Sequence, residues 1–424
     1  MTMTINNIYP FRVLWMFLIL LLASPVMAQI EEDEDEIILP EGMTDDIDSL
    51  LHEWHNRNYL IPAGDCESSA TNPEFDKETY IHRLSRLPNV IEMPYNDVVR
   101  RFIDQYTGRL RRSISIFLGA SNFYMPIFEE ALEAYQLPLE LKYLPIIESA
   151  LNPMATSRAG AVGLWQFIIT TGKLYGLEVT SLIDERRDPI KASYAAAHYL
   201  KDLYDIFGDW TLVIASYNCG PNNVRKAISR AGGERDYWKI YPYLPAETRG
   251  YVPAFIAANY AMNYYCEHNI CPAGTILPAA TDTVQIHQNL HFDQLVAQCN
   301  VSMEELTALN PQYRQSVIPG DSHDCTLRLP HAAMKSFVEL GDSVYNYRAT
   351  ELLTNRREVE VSDTQVGRGR RGSRNSRGGQ TVTVRKGDTL GAIAKRNGTT
   401  VARLRELNGI RGNNITAGKK IRVR

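Results

Sequence analysis

Glu148 falls where the pattern around it asks for an apolar residue. Leu137, Leu141, Leu144, Glu148 and Leu151 recur at spacings of three and four, so on a helix they share one face. A carboxylate in an apolar stripe is costly when ionised, so it must be paired, neutralised or used. Desolvation there raises a carboxyl pKa, as a general acid working near neutral pH requires. A structural reading stands beside the catalytic one: Lys142, Arg158 or a helix N-terminus could satisfy the charge. The residues that follow favour chemistry. Asn152-Pro153 stops the helix, and Ser157 to Gly163 is a run of small residues around Gly160 and Gly163. Trp165-Gln166-Phe167 then opens a new amphipathic segment. Small residues let backbone and ligand approach closely, so the stretch reads as a cleft floor bracketed by an acid and a polar–aromatic pair.

The elements that must position this floor are helical. Apolar residues at helical spacing run through Val98, Val99, Phe102, Ile103 and Tyr106. Asp209 to Tyr217 reads as a helix stopped at Gly220-Pro221, and Asn222 to Ala231 as one stopped at Gly232-Gly233. Val252 to Tyr265 is Ala-rich and aromatic, the composition of a core helix. Strand signals are missing from residues 110–270, so that part is expected to be all-α.

After Pro272 the character changes. Residues 281–350 and 380–424 each hold a small unit of strand, two helices and strand. In the second, Thr381–Val384 alternates as a strand, Gly387-Asp388-Thr389 turns and caps a helix at Leu390–Arg396, Thr400–Leu407 forms another, and Ile421–Val423 closes the unit. In the first, degenerate copy the strands are Val284–Ile286 and Thr326–Leu329, with helices at Phe292–Gln298 and Ser302–Leu309. Residues 354–379 join the two, and Val366 to Gly379 within them is Gly-Arg-Ser low complexity with five arginines, expected to be a flexible tether.

Arg12, the eleven apolar residues Val13 to Ala23, and Val26-Met27-Ala28 form a signal-peptide pattern with cleavage expected after Ala28. An N-terminal membrane anchor is the other reading, although the run is short for a bilayer. No cysteine adjoins the cleavage site, and no other segment approaches transmembrane length. Residues 29–94 then read as an acidic tail, Glu31 to Glu36, and a helical extension. Export permits disulfides among Cys66, Cys219, Cys266, Cys271, Cys299 and Cys325, and Cys299 with Cys325 is the preferred pair: one ends a helix and the other begins the closing strand of the same unit. There is no C-x-x-C, and His52 with His55 and His287 with His291 lack third ligands nearby, so neither a metal nor a cofactor is expected. The net charge is −4, yet residues 380–424 carry eleven Lys/Arg against Asp388 and Glu406. Behind a signal peptide such a basic end suits an anionic extracellular surface rather than nucleic acid.

Together these segments carry a resemblance. Glu148-Ser149, Asn152-Pro153, Ser157, Gly160-Ala161-Val162-Gly163-Leu164-Trp165-Gln166, Ser216-Tyr217-Asn218 with Gly220-Pro221, and Glu247-Thr248-Arg249-Gly250-Tyr251-Val252-Pro253 occur in one order. Residues 95–275 thereby resemble the lytic murein transglycosylases of the goose-lysozyme-like superfamily, of the membrane-bound D type. Val384-x-x-Gly387-Asp388-Thr389-Leu390 through Leu407-Asn408 resembles a LysM module. The chain lacks the lipobox of the family's lipoprotein members.

The resemblance implies a mainly α fold, a lysozyme-like all-helical catalytic domain followed by βααβ LysM modules. It implies an enzyme that cleaves the β-1,4 bond between N-acetylmuramic acid and N-acetylglucosamine without water, with Glu148 as acid and then base. It further implies that Tyr217 orients the substrate N-acetyl group, that Ser157 and Gln166 bond the sugars, that Asn218 shapes the site and that Tyr251 lines it. No Asp or Glu occurs from Leu151 to Leu177, which suits a one-carboxylate reaction. The implied partner is peptidoglycan, and the implied place is periplasmic, at the cell wall or outer membrane. A goose-type hydrolytic muramidase and a non-catalytic peptidoglycan-binding protein remain the alternatives.

Overall fold

The structure, a computed structural model, describes residues 38–40, 71–275, 277–278, 280–353, 358–361, 381–384, 388–408, 410 and 419–423. The leader at 1–28, the acidic run Glu31 to Glu36, His52, His55, Cys66, Gly387 and the stretch Val366 to Gly379 lie outside the described residues.

Residues 71–275 fold as helices: α1 Lys77–Ser85, α2 Asp97–Thr107, α3 Arg111–Ala134, α4 Leu144–Ser149, α5 Ile169–Leu174, α6 Pro189–Phe207, α7 Trp210–Cys219, α8 Pro221–Arg230 and α9 Tyr251–Asn263. Polar side chains start several of them. Asp76, Asn96 and Asp209 each accept the backbone N–H three residues on, and Asp188 accepts from Ile190 and Lys191 with Pro189 at the first helical position. Every residue of α9 from Tyr251 to Met262 is buried. A helix apolar on all sides belongs in the centre, and α2, α4 and α7 pack around it. The remaining layers follow in sequence: α3 against α6, α6 against α7, α7 against α8.

Two local expectations are corrected. One continuous helix through Leu137 and Leu151 does not form; a 3-10 turn at Leu139–Tyr143 precedes the six-residue α4. Pro145 has no N–H to continue the ladder, so the helix restarts there. Its end comes at Ser149, because Ala150 and Leu151 take left-handed conformations, φ 52° and 56°. Their N–H groups return to the carbonyls of Ile146 and Pro145 at 3.0 and 3.3 Å, capping the last turn. Nor does Trp165 open a helix. Val162 and Phe167 pair in a tight turn, and α5 starts only at Ile169.

The second unit pairs β1 Thr281–Ile286 with β4 Cys325–Pro330, antiparallel, and β2 Asn289–His291 with β3 Val317–Pro319. Between them lie α10 Phe292–Gln298 and α11 Met303–Leu309, and α12 His331–Leu340 follows. Ser302 and Glu305 form a reciprocal capping box at the start of α11. The β2–β3 pair is a feature that the degenerate pattern concealed. The expected Cys299–Cys325 bridge is also corrected: both are buried free thiols. Cys325 lies against the Tyr313 hydroxyl, and burial pushes both thiols up to about 11. Cys219 and Cys266 are free as well, whereas Cys271 is disulfide-bonded.

In the terminal unit β5 Thr381–Thr383 pairs with β6 Lys420–Arg422, and α13 Leu390–Arg396 and α14 Val401–Asn408 pack between them around Ile393, Leu404 and Ile421. Thr389 caps α13 by accepting from Ala392. Among the described residues no helix is long and apolar enough to cross a membrane.

Candidate active site

Glu148 occupies the last turn of α4, half-buried, directly before the left-handed step at Ala150. Neighbouring Ser149 is fully buried and donates to the carbonyls of Pro145 (3.0 Å) and Leu164 (2.9 Å), tying the helix end to the floor loop. The Tyr251 hydroxyl, from the first residue of α9, donates a hydrogen bond to Glu148 Oε1. Burial pushes the Tyr251 phenol well above its ordinary range, and the Glu148 charge adds to the rise. The phenol therefore stays protonated and serves as a fixed donor. Of the rival partners weighed for Glu148, Lys142 pairs instead with Glu129.

Tyr217, on α7, faces the same carboxylate. Burial raises its pKa first and the charge of Glu148 second. Its hydroxyl donates to the Trp165 carbonyl at 2.8 Å, and its ring lies 5.4 Å from that of Tyr199. Tyr217 is therefore engaged as a donor, and its oxygen lone pairs are what it can offer a ligand. Trp165 itself is buried, bonded through Nε1 to Ser193 and edge-on to Phe128, so it packs.

The floor loop satisfies much of its own polarity. Ser157 Oγ accepts from the Ala161 N–H at 3.0 Å, closing a turn in which Ser157 and Ala161 also pair through the backbone. Gln166, at φ 49°, donates from Nε2 to the Gly163 carbonyl at 2.8 Å, so it braces the loop and its Oε1 is the acceptor end. Asn218 is exposed, and its Oδ1 accepts from Thr248 at 2.9 Å, beside Tyr251 in sequence. Glu148, Tyr217 and Tyr251 are thus brought into mutual electrostatic contact. Gln166 and Ser157 hold the two ends of the adjoining loop, and Asn218 sits outside.

Beneath the floor lies an ion pair that sequence reasoning missed. Asp184 is fully buried, and Arg186 Nε and Nη2 donate to its two oxygens at 2.9 Å each. Arg186 Nη1 then reaches the carbonyls of Gly160 (3.2 Å) and Phe167 (3.1 Å), one at each end of the floor. A Cβ on Gly163 would stand 1.8 Å from the Arg186 carbonyl oxygen, and φ there is +86°. Only glycine fits.

Other buried carboxylates are committed elsewhere. Glu140 accepts the N–H groups of Val90 and Ile91, and Glu185 accepts the Glu178 N–H and pairs with Lys191. The arrangement is one half-buried acid, hydrogen-bonded by the Tyr251 phenol and faced by the Tyr217 phenol, able to give and to take back a proton.

Similarity to known proteins covers the same residues. The family model described as the transglycosylase SLT domain matches residues 125–240, which include every proposed site residue except Tyr251. The lytic transglycosylase MltD LysM-like domain matches residues 280–346, and the LysM domain residues 382–424. Membrane-bound lytic murein transglycosylase D of Escherichia coli K12 is 30% identical over 335 residues, 78% of this chain and 70% of that protein. The protein of the same name from E. coli O6:H1 matches to the same extent. Among solved structures, the 70 kDa soluble lytic transglycosylase of E. coli is 26% identical with a TM-score of 0.30, covering 35% of this chain and 25% of that one.

Removing one partner of a buried ion pair costs about 3–5 kcal/mol. Arg186→Met should accordingly lower the unfolding free energy by about 3 kcal/mol, read from urea titrations. A loss under about 0.5 kcal/mol would show that the pair does not hold the floor.

Proposed function

We propose, from the premise that this chain belongs to the membrane-bound lytic murein transglycosylase D family, that it is a peptidoglycan lytic transglycosylase whose single catalytic carboxyl is Glu148. The observation that carries the residue assignment is the hydrogen bond from Tyr251 to Glu148 Oε1 beside the half-buried Tyr217.

Protonated Glu148 donates to the glycosidic oxygen as the bond from muramic C1 breaks. The resulting carboxylate accepts the proton of the muramic C6 hydroxyl, whose oxygen attacks C1 and closes a 1,6-anhydro ring. The proton balance is zero over the cycle and no water is consumed. Charge on Glu148 appears only after the first transfer, where the Tyr251 hydroxyl is already aimed at it; a donor fixed in advance needs no reorganisation. Because Tyr217 is engaged as donor by Trp165, it orients the substrate acetamido group by accepting its N–H. Gln166 presents Oε1 to sugar hydroxyls from the loop that Ser157 closes, and Asn218, bonded by Thr248, shapes the edge of the site.

The basic terminal LysM module holds glycan near the site. A tethered second binding site raises local substrate concentration without any new contact at the acid. Export through the leader at residues 1–28 places the enzyme in the cell envelope, against the wall.

Glu148→Gln should keep the fold and sacculus binding while nearly abolishing release of soluble fragments; activity within tenfold of wild type would refute the assignment. Mass spectrometry of wild-type products should find anhydro ends, one water lighter than the reducing ends a hydrolytic muramidase leaves. Tyr251→Phe removes a hydrogen bond to a charged group, about 1.5–3 kcal/mol, so kcat should fall about 10–100-fold with KM little changed. An unaltered kcat would leave Tyr251 a packing residue. Deleting residues 380–424 should weaken pull-down by sacculi, and the part lost should be the more salt-sensitive part. Equal binding by the truncated chain would sink the tethering account.

A further inference from the structure

Away from the acid, three ligand-type side chains from three distant segments converge. Glu178 precedes the hairpin Val179–Asp184 of the helical domain, His323 lies in the turn before β4, and Glu358 belongs to the segment 358–361 that follows the second unit. One ligand atom from each lies within 4.8 Å of the others, and all three residues are partly buried. His323 Nε2 stands 2.7 Å from Glu358 Oε2, and Nδ1 stands 3.3 Å from Glu178 Oε1. The surroundings are organised as a coordination sphere requires. Thr180 Oγ1 donates to Glu358 Oε1 and Ser322 Oγ to Oε2, while the Glu178 N–H is fixed on Glu185.

Two carboxylates are held together here around one imidazole. Lys191 is taken by Glu185 and Lys173 by Glu360.

We infer that Glu178, His323 and Glu358 form a binding site for a divalent transition-metal ion of the zinc class. One imidazole nitrogen and two carboxylate oxygens are a zinc ligand set, with water completing the tetrahedron. Ligands about 2.0–2.1 Å from a tetrahedral Zn2+ stand about 3.3 Å from one another, so small side-chain rotations bring the three atoms to one ion. To ligate, the imidazole must be neutral and one ring nitrogen must exchange its carboxylate for the metal, releasing a proton if the ring was charged. The site is assembled across 145 and 35 residues of chain, so no local motif announces it. Bound metal would fasten segment 358–361, already paired with Val179 and Ser181 through the backbone, to the helical domain.

The test is a Zn2+ titration of tag-free, EDTA-stripped, full-length protein, followed by calorimetry and by thermal unfolding. The expected result is saturable uptake of one equivalent with a rise in Tm, since a ligand bound only by the native state stabilises it. Groups that merely hydrogen-bond a metal's ligands are worth about 10–100-fold in metal affinity, so His323→Gln and the isosteric Glu358→Gln should each weaken binding by at least about tenfold. Far-UV circular dichroism confirms that both variants are folded. Failure of the wild type to bind Zn2+, uptake unchanged in both variants, or an equal response to Mg2+ overturns the assignment. A stability that responds to pH but not to Zn2+ overturns it too, leaving an imidazolium bridge between the carboxylates.

Discussion

The buried pair of Asp184 and Arg186 is the constraint on which the rest of the structure depends. Arg186 reaches both ends of the floor loop through the carbonyls of Gly160 and Phe167, and its own carbonyl forces glycine at position 163. On the other side Asp184 Oδ2 also accepts from Arg314 at 2.8 Å, a residue of the second unit. The Asp184 N–H bonds the Gln312 carbonyl, and Ile183 inserts into that unit's apolar core. One carboxylate thus sets the shape of the loop beside Glu148 and the seating of the neighbouring module. Such a charge is tolerated away from water only because every oxygen is matched by a guanidinium.

The second organising principle is the neutrality of the phenols. Tyr217 and Tyr251 face the carboxyl from α7 and from the start of α9, and burial keeps both protonated. A cation in either place would hold the acid permanently ionised; a phenol supports either protonation state. A carboxyl flanked by donors of that kind passes between its two protonation states more readily than one beside a lysine or arginine.

Much of this was legible in the chain, and the failures have physical causes. The helical class followed from periodicity, and the all-apolar α9 was readable as a core helix from Val252 to Tyr265. Capping residues such as Ser302 and Thr389 marked the starts of module helices. The leucine spacing around Glu148 read as one helix because periodicity is blind to the missing N–H of Pro145. Asp184-Glu185-Arg186-Arg187 looks like a solvated charge run, yet Asp184 and Arg186 are buried by tertiary packing that no local pattern encodes. Ser157 and Gln166 were identifiable as polar groups in the floor, but not that their atoms bond the loop itself.

Segment 358–361 adds a strand-like strap to the hairpin at Val179–Ser181, with Ser181 and Val359 exchanging bonds and Lys173 meeting Glu360. The chain therefore departs for its last module from the seam where the helical domain, close to α5, meets the module before it. Twenty peptide links separate Val361 from Thr381. Fully stretched they span about 70 Å, whatever path they take. Whatever the basic end holds, the helical domain can stray from it by little more than that span, so the point of departure delimits how much territory one molecule covers at a time.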